Sequence, residues 1–370
     1  MDPKPLCAFA GDDHLAPRAW VRYPDLTGDS YYSFTQLIDY VVEHDLPLFL
    51  LGDVLDVAYP DPYTVKFLVQ QIGRLRNSGW YIQGQHEMHK PSAWLELAFT
   101  PHCKHIHHQT FFLAGRRDLP VYGLDWQPLA KLRDELTVIP EGTVILLAHQ
   151  GCDWLKQRKT PGASLQDIPH ASYVFTGDYH VHKTLVTTGR DGQRLVVASP
   201  GSQCLQAIDE ADEKFFFVYY DDGSLQAVPL KTRRVYRHTF RCAATFFEEI
   251  GALFSRIEPR NDVPEEIQKP IIAVGFAAGI DGASRHIESA LGAHGHLFLS
   301  PLPMASEDPA LVQDMHQLLD GGLEGQIHQC SDDPAVCETA LRLLRTKNDV
   351  KREIREIVQE CMEVTDIEPF

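Results

Sequence analysis

The sequence predicts a layered α/β domain over residues 1–232. Short apolar runs recur along this part of the chain, and each ends in a cluster of Gly, Asp or His. Segments that are apolar throughout are typical of strands buried on both faces. Helical patterns at residues 33–44 and 62–77 separate several of these runs, and strand–helix alternation is typical of layered α/β domains. The predicted strands are 6–10, 46–51, 80–82, 121–124, 144–148, 173–176 and 195–198, followed by a hairpin at 215–230.

A second, smaller α+β domain is predicted at residues 233–330. Residues 256–270 are rich in proline and charge, which is typical of a connector. A strand, a helix and a second strand are expected after it, at residues 271–276, 283–291 and 296–299.

Residues 331–370 are predicted to be helical. Asp333-Pro334 is a typical helix start, with an N-cap followed by proline in the first turn. Apolar residues at 350, 354, 357, 358 and 361 form one stripe on a highly charged helix. Packing of this stripe within the chain is the favoured interpretation, and binding to a partner is the alternative.

The composition limits the classes of protein that the chain could represent. It has 370 residues and a net charge of −17, since 34 Lys and Arg stand against 51 Asp and Glu. This acidity argues against tight unaided binding to duplex DNA, which usually requires a basic surface. No apolar run approaches the roughly 20 residues of a membrane span, and the N-terminus lacks the pattern of a secretory signal. The eight cysteines form no CxxC pairs, so we expect a cytoplasmic protein with reduced thiols.

Five polar clusters follow predicted strands in order along the chain. An aspartate after a strand is often only a helix cap, but five clusters in series at strand ends point to metal binding. Ligands of α/β sheets gather beyond the carboxyl ends of the strands. The clusters are Asp12-Asp13-His14, Gly52-Asp53-Val54-Leu55-Asp56, Gly84-Gln85-His86-Glu87, His149-Gln150-Gly151 and Gly177-Asp178-Tyr179-His180.

The order of these clusters resembles that of the calcineurin-like metallophosphoesterases. The family pattern is D-x-H, G-D-x-x-D, G-N-H-D/E, H-x-G and G-H-x-H, and the resemblance covers roughly residues 6–230. It implies a layered β-sandwich flanked by helices, with two divalent metal ions bridged by Asp53. Paired metal ions activate a water molecule and stabilise the charge that develops on a reacting phosphate.

The resemblance also implies how the ligands divide between the two metals. The first metal would be held by Asp12, His14, Asp53 and His180, and the second by Asp53, Gln85, His149 and Asp178. Mixed imidazole and carboxylate donors suit Mn²⁺ or Fe²⁺, whereas an all-oxygen set would favour Mg²⁺. We expect Mn²⁺, with Mg²⁺ or Fe²⁺ as alternatives.

Two ligand positions depart from the family pattern. Gln85 stands in place of asparagine, and Asp178 stands in place of the first histidine of G-H-x-H. Both changes fall on the second metal, which we expect to be the weaker or more selective site. A competing register would use His180 and His182 as the histidine pair. The register with Asp178 and His180 is favoured because it aligns Gly177 without an insertion.

Two further residues are predicted to be catalytic. By resemblance, His86 stands beside the scissile phosphate and protonates the leaving oxygen, a role that suits a group titrating near neutral pH. Asp56 would orient His86 or contact the substrate, with a helix cap or a surface position as the alternative.

The substrate class is inferred from three further similarities, which favour the SbcD-type (meiotic recombination eleven) DNA repair nucleases. These are the Ala-Ser-Pro-Gly-Ser segment at residues 198–202, the Gly-Leu-Asp-Trp segment at 123–126, and the small module after the first domain. The family implies a Mn²⁺-dependent DNA exonuclease and endonuclease, a homodimer that acts with an SbcC-like SMC-type ATPase, which residues 349–362 could bind. The alternatives are a stand-alone small-molecule phosphodiesterase or pyrophosphatase, and a non-catalytic binding module with a degenerate site.

Overall fold

Three β-sheets and the helices around them form a mixed α/β structure in the computed structural model of the chain. The structure describes residues 3–17, 20, 23–77, 79–88, 93–99, 101–150, 168, 170–190, 192–277 and 280–302. Most of these residues belong to one compact unit that comprises Met1–Phe240, Ala244–Gly275 and Gly282–Ser300. No helix in this described part combines the length and the apolar character of a membrane span.

The first sheet has six strands in the order β12-β11-β1-β2-β3-β4. Neighbouring strands from β1 to β4 are parallel, whereas β11 pairs antiparallel with both β1 and β12. The hairpin predicted at residues 215–230 is thus present as β11 and β12. The strands are β1 (Pro5–Ala10), β2 (Leu48–Leu50), β3 (Gly79–Tyr81), β4 (Cys103–His105), β11 (Lys214–Tyr220) and β12 (Leu225–Leu230).

Helices cover one face of the first sheet. They are α1 (Pro24–Glu43), α2 (Pro62–Ile72) and α3 (Ala93–Phe99). Helix α2 begins at a true N-cap, since Asp61 accepts hydrogen bonds from the backbone N–H groups of Tyr63 and Thr64. Apolar side chains of the three helices and of the sheet form one buried cluster.

The second sheet also has six strands, in the order β5-β6-β7-β8-β10-β9. Its central strands β6, β7, β8 and β10 are parallel, and the register of β7 and β8 sets His149 opposite Gly177. The helix α4 (Leu129–Thr137) shares a buried cluster with this sheet. The strands are β5 (Thr110–Phe112), β6 (Pro120–Leu124), β7 (Ile145–His149), β8 (Tyr173–Gly177), β9 (Lys183–Thr188) and β10 (Arg194–Ser199).

The two six-stranded sheets share a buried apolar cluster. The rings of Phe9 from β1 and Phe175 from β8 stack with their centroids 3.7 Å apart, and Phe49 stacks on Trp80. Buried aromatic pairs of this kind add to the stability that burial alone provides. The carboxyl ends of β1, β2, β7 and β8 are therefore held close together, which places the predicted clusters in one region.

The third sheet has three strands, in the order β13-β14-β15. Elements β14, α7 and β15 lie where the sequence predicts a strand, a helix and a strand, and the connector before them contains the short α6. Arg233 fastens the start of this region to α1 through a salt bridge with Asp29. The elements are β13 (Val235–Phe240), α5 (Phe246–Arg256), α6 (Glu265–Gln268), β14 (Ile271–Ala277), α7 (Ala283–Leu291) and β15 (His296–Leu302).

The described structure does not test the predicted domain boundaries or the predicted C-terminal helical segment. The domain boundaries at residues 232 and 330 stay predictions. The segment 331–370, with its apolar stripe and the proposed partner-binding residues 349–362, lies outside the described residues. Of the eight cysteines, Cys7, Cys103 and Cys204 are buried free thiols.

Candidate metal centre

The predicted ligands come together where strands of both six-stranded sheets end. Ligand atoms of Asp12, Asp53 and His149 lie within 4.8 Å of one another, as do those of Asp12, His14 and His180. The Asp53 Oδ2 atom is 3.2 Å from His149 Nε2 and 3.9 Å from His14 Nε2. Asp53 therefore faces both groups, as a bridging ligand must.

Four of these residues adopt the left-handed backbone conformation that is uncommon outside glycine. The φ angles are 53° at Asp12, 43° at His14, 50° at Asp53 and 68° at Asp178. Such conformations cost on the order of 1–3 kcal/mol each and cluster at functional sites. The backbone is thus turned sharply just after the strands, at the positions of four predicted ligands.

Each ligand imidazole has a hydrogen-bond acceptor at Nδ1. His14 Nδ1 lies 2.9 Å from Asp56 Oδ1, His149 Nδ1 lies 2.6 Å from the carbonyl oxygen of Leu51, and His180 Nδ1 lies 2.8 Å from Glu210 Oε1. A histidine that donates from one ring nitrogen has the lone pair of the other available for a metal. In all three residues that nitrogen is Nε2.

Several buried polar atoms of the set have no hydrogen-bond partner. They are Asp12 Oδ2, Asp53 Oδ2, Gln85 Oε1 and His149 Nε2; the atoms of Asp53 and His149 lie 3.2 Å apart but are not aligned for a hydrogen bond. A buried polar group without a partner costs roughly 1–3 kcal/mol, so native proteins rarely tolerate several in one place. Divalent cations coordinated by these atoms would satisfy them, and the donor types fit such ions.

Electrostatics in the cluster also favour a cation. Although burial opposes the charged imidazole, the carboxylates of Asp53 and Asp12 raise the pKa of His149 to about 10. Burial raises the pKa of Asp12, and nearby histidines oppose that shift. The centre therefore favours a positive charge, which a proton on His149 or a bound cation would supply.

The two departures from the family pattern lie in contact. Gln85 Nε2 donates a hydrogen bond to Asp178 Oδ1 over 2.8 Å. Gln85 Oε1 accepts no hydrogen bond from the described residues and is therefore the atom that could coordinate a metal. The backbone N–H of Asp178 donates to Asp12 Oδ1 over 2.9 Å. Both residues therefore border the same cluster as Asp12.

His182 has different surroundings. Its Nδ1 lies 3.3 Å from the carbonyl oxygen of Pro200, and its ring packs on Phe215 and Phe217. Within the described part of the chain, none of the candidate metal-binding groups includes His182. Asp178 also belongs to none of these groups among the described residues, whereas His180 belongs to one, so the choice between the two registers stays a prediction.

His86 lies at the open side of the centre, and its side chain is 37% exposed. Its Nδ1 lies 2.9 Å from the carbonyl oxygen of Asp56, and its Nε2 lies 3.9 Å from Asp53 Oδ2. Asp56 is buried, so it is not a surface residue. It contacts His86 through its carbonyl and His14 through its carboxylate.

Sequence reasoning assigned no role to Glu87, which joins two ligand loops. Its Oε1 accepts hydrogen bonds from the backbone N–H groups of Val54 and Leu55, and its Oε2 accepts one from Gly84. Burial and the charge of Asp53 raise the pKa of Glu87 to about 8. The sequence could have predicted this role, because an acidic side chain three positions after Gly84 is well placed to accept a hydrogen bond from the Gly84 backbone N–H.

The Gly-Leu-Asp-Trp segment supports the loop that carries Gln85 and His86. Asp125 Oδ1 accepts a hydrogen bond from the backbone N–H of Gln83 over 2.8 Å, and His105 Nε2 lies 2.9 Å from the same carboxylate. The backbone N–H of Trp126 donates to the carbonyl oxygen of Gln83. Residues 123–126 therefore hold this loop from the second sheet.

No family model and no curated protein sequence matches the chain. The chemistry of the centre is therefore inferred from its own residues. These offer carboxylate, amide and imidazole groups around a buried negative region, with the partly exposed side chains of His86 and His180 at its edge.

Proposed function

We propose that the chain is a two-metal phosphoesterase that hydrolyses phosphodiester bonds. The observation that carries this proposal is the set of buried donor atoms without hydrogen-bond partners on Asp12, Asp53, Gln85 and His149. A layered pair of sheets with helices on the outer faces, as the metallophosphoesterase resemblance implies, supports the same interpretation.

The ligand assignment follows two of the three groups of described side chains that could hold a metal; the third group, His14, Asp56 and His86, contains the two proposed catalytic residues. Asp12, His14 and His180 would hold one metal. The group for the second metal comprises Asp12, Asp53 and His149, so Asp12 belongs to both groups. Asp53 Oδ2 faces His14 and His149, which supports a bridging role. Gln85 and Asp178 would complete the second metal site. Mn²⁺ is the proposed ion, because imidazole and carboxylate donors are mixed.

The metals would supply an activated water molecule and stabilise the charge on the reacting phosphate. The protein residues would supply the proton and the positioning. His86 Nδ1 is held by the carbonyl of Asp56, so Nε2 is the atom that can deliver a proton to the leaving oxygen. The partial exposure of His86 allows a substrate to reach it.

DNA is the proposed substrate. Support comes from the segments at residues 123–126 and 198–202, which resemble those of the SbcD-type nucleases and border the centre. Ser199 Oγ donates to the carbonyl oxygen of Tyr179, beside His180. The net charge of −17 argues against unaided DNA binding, so we propose a homodimer that acts with an SMC-type ATPase bound by residues 349–362.

The same acidity favours a second candidate function, a stand-alone small-molecule phosphodiesterase or pyrophosphatase. Incubating the full chain with Mn²⁺ and either single-stranded DNA or bis(4-nitrophenyl) phosphate separates the two. Cleavage of both substrates supports the nuclease, and cleavage of the small ester alone supports the second candidate. Turnover of neither substrate contradicts both and leaves a binding module.

The partner is tested separately from the chemistry. Deleting residues 349–370 should prevent co-purification with an SMC-type ATPase while hydrolysis of bis(4-nitrophenyl) phosphate persists. Loss of the small-ester activity in that variant would contradict a role confined to partner binding.

A further inference from the structure

The carboxylate of Glu210 lies behind His180, on the side away from the other ligands. Glu210 Oε1 is 2.8 Å from His180 Nδ1. Glu210 Oε2 accepts hydrogen bonds from the Lys214 ammonium over 2.8 Å, and from Ser202 Oγ and the backbone N–H of Gln206 over 3.0 Å. Four donors thus fix one carboxylate, which leaves it little freedom to turn.

Lys214 gives this arrangement its charge balance. Its side chain is buried, and its ammonium also donates to Ser202 Oγ over 2.7 Å. Its ammonium lies 2.8 Å from the Glu210 carboxylate, which is therefore a fixed and charge-balanced acceptor for the imidazole of His180.

Arg237 of β13 holds the loop that carries Glu210. Its guanidinium donates to the carbonyl oxygen of Ile208 over 2.8 Å, to Asp212 Oδ1 over 3.2 Å and to the carbonyl oxygen of Glu210. Along the chain, these contacts are with the residue two positions before Glu210, with Glu210 itself and with the residue two positions after it. One arginine of the three-stranded sheet thus braces the loop at three points.

We propose that Glu210 is the positioning residue for His180, and that Arg237 sets the place of Glu210. The three-stranded sheet would thereby support one of the two metals. A carboxylate that accepts from Nδ1 fixes the tautomer and the ring orientation, so that Nε2 is directed at the ion. The inference rests on the proposed metal centre and extends it to a residue outside the five sequence clusters.

The test measures metal binding by the full chain, independently of hydrolysis. We would titrate Mn²⁺ into Glu210→Gln and follow free Mn²⁺ by electron paramagnetic resonance. Loss of such a supporting group typically weakens metal affinity by about 10–100-fold, and we expect this loss at one of two sites while the other is unchanged. A merely structural role would instead weaken both sites together and lower the melting temperature of the metal-free chain.

Matched variants control for the chemical change itself. Glu249→Gln alters another carboxylate–histidine pair, since Glu249 Oε2 lies 2.8 Å from His238 Nε2 on the third sheet, and should bind both ions normally. Arg237→Ala should weaken the same site as Glu210→Gln, whereas Arg234→Ala, at an exposed neighbour, should not.

Three outcomes would overturn the inference. One is a folded Glu210→Gln chain that binds both ions with wild-type affinity. If that variant does not fold, Glu210→Asp is used instead, because it keeps the negative charge beside Lys214 but shortens the side chain. Wild-type Mn²⁺ affinity at both sites of Glu210→Asp would also overturn the inference. A wild-type chain that binds two Mn²⁺ but hydrolyses no ester contradicts only the proposed function, and one that binds none overturns both.

Discussion

The Nε2 atoms of His14 and His180 lie 3.2 Å apart. Both rings already have an acceptor at Nδ1, in Asp56 and Glu210 respectively. If each ring donates its single proton there, neither has a proton to give the other. Two lone pairs facing one another at this distance favour a cation beside them, and Asp12 supplies the negative charge.

Asp53→Asn should remove hydrolysis and reduce Mn²⁺ binding below two ions per chain. The neutral amide would place either an N–H donor or an uncharged oxygen where Asp53 Oδ2 now faces His149 Nε2 and His14 Nε2. Metals supply several kcal/mol of transition-state stabilisation, so we expect a loss of activity on the order of 10³-fold or more. Asp45→Asn is the matched control, since Asp45 also has a left-handed backbone but is exposed. Wild-type turnover by Asp53→Asn would disprove the bridging role.

His86→Gln should lower kcat while both Mn²⁺ ions remain bound. Its Nε2 is the proposed proton donor, and general acid catalysis typically contributes about 10²–10⁴-fold. The loss should be smaller for an ester with a good leaving group, such as bis(4-nitrophenyl) phosphate, than for DNA. His44→Gln changes an exposed histidine whose Nδ1 also contacts a carbonyl, and it should have no effect. Normal DNA cleavage by His86→Gln would contradict the assignment.

Mn²⁺ binding should release protons at neutral pH. Because the pKa of His149 is raised to about 10, its imidazole is protonated at pH 7 before the metal arrives. A metal needs the neutral Nε2, so rising pH lowers the cost of removing the proton and strengthens binding, by about tenfold per pH unit for each proton released. Calorimetry in buffers of different ionisation enthalpy measures this number, and we expect about one proton from His149. Affinity that does not change between pH 6 and 8 would contradict the expectation.

Arg233→Ala should destabilise the fold without touching the metal centre. The Arg233 side chain is fully buried, pairs with Asp29 and donates to the carbonyl oxygens of Glu266 and Lys269. Removing one partner of a buried pair typically costs about 3–5 kcal/mol. Urea unfolding measures the free energy of unfolding, with the exposed Arg234→Ala as control. Equal stability of the two variants would show that the pair does not hold α1 to this region.

The strands that carry ligands were the predictable part of the fold. Runs such as residues 6–10 are buried on both faces, so their apolar pattern is continuous, and β1 and β8 formed as predicted. The short strands β4 and β5 mix polar and apolar residues and carry no such pattern. Helix α1 begins at Pro24, well before the predicted residue 33, because proline is favoured in a first turn.

The predicted ligands could be picked out from the sequence because each lies at or shortly after the end of a strand. Glu210 was not, since it lies 30 residues beyond His180 and reaches it only through a loop braced by another sheet. The support of Asp125 for Gln83 is similarly long-range. Local patterns carry no information on such contacts, which depend on how the sheets pack.

The division of ligands between the two six-stranded sheets bears on how the protein matures. Asp12, His14 and Asp53 follow strands of one sheet, whereas His149 and His180 follow strands of the other. On the proposed assignment, each of the two metals draws ligands from both sheets. On that assignment, each complete metal site would form only once the two sheets have packed together, so metal uptake would follow assembly of the fold.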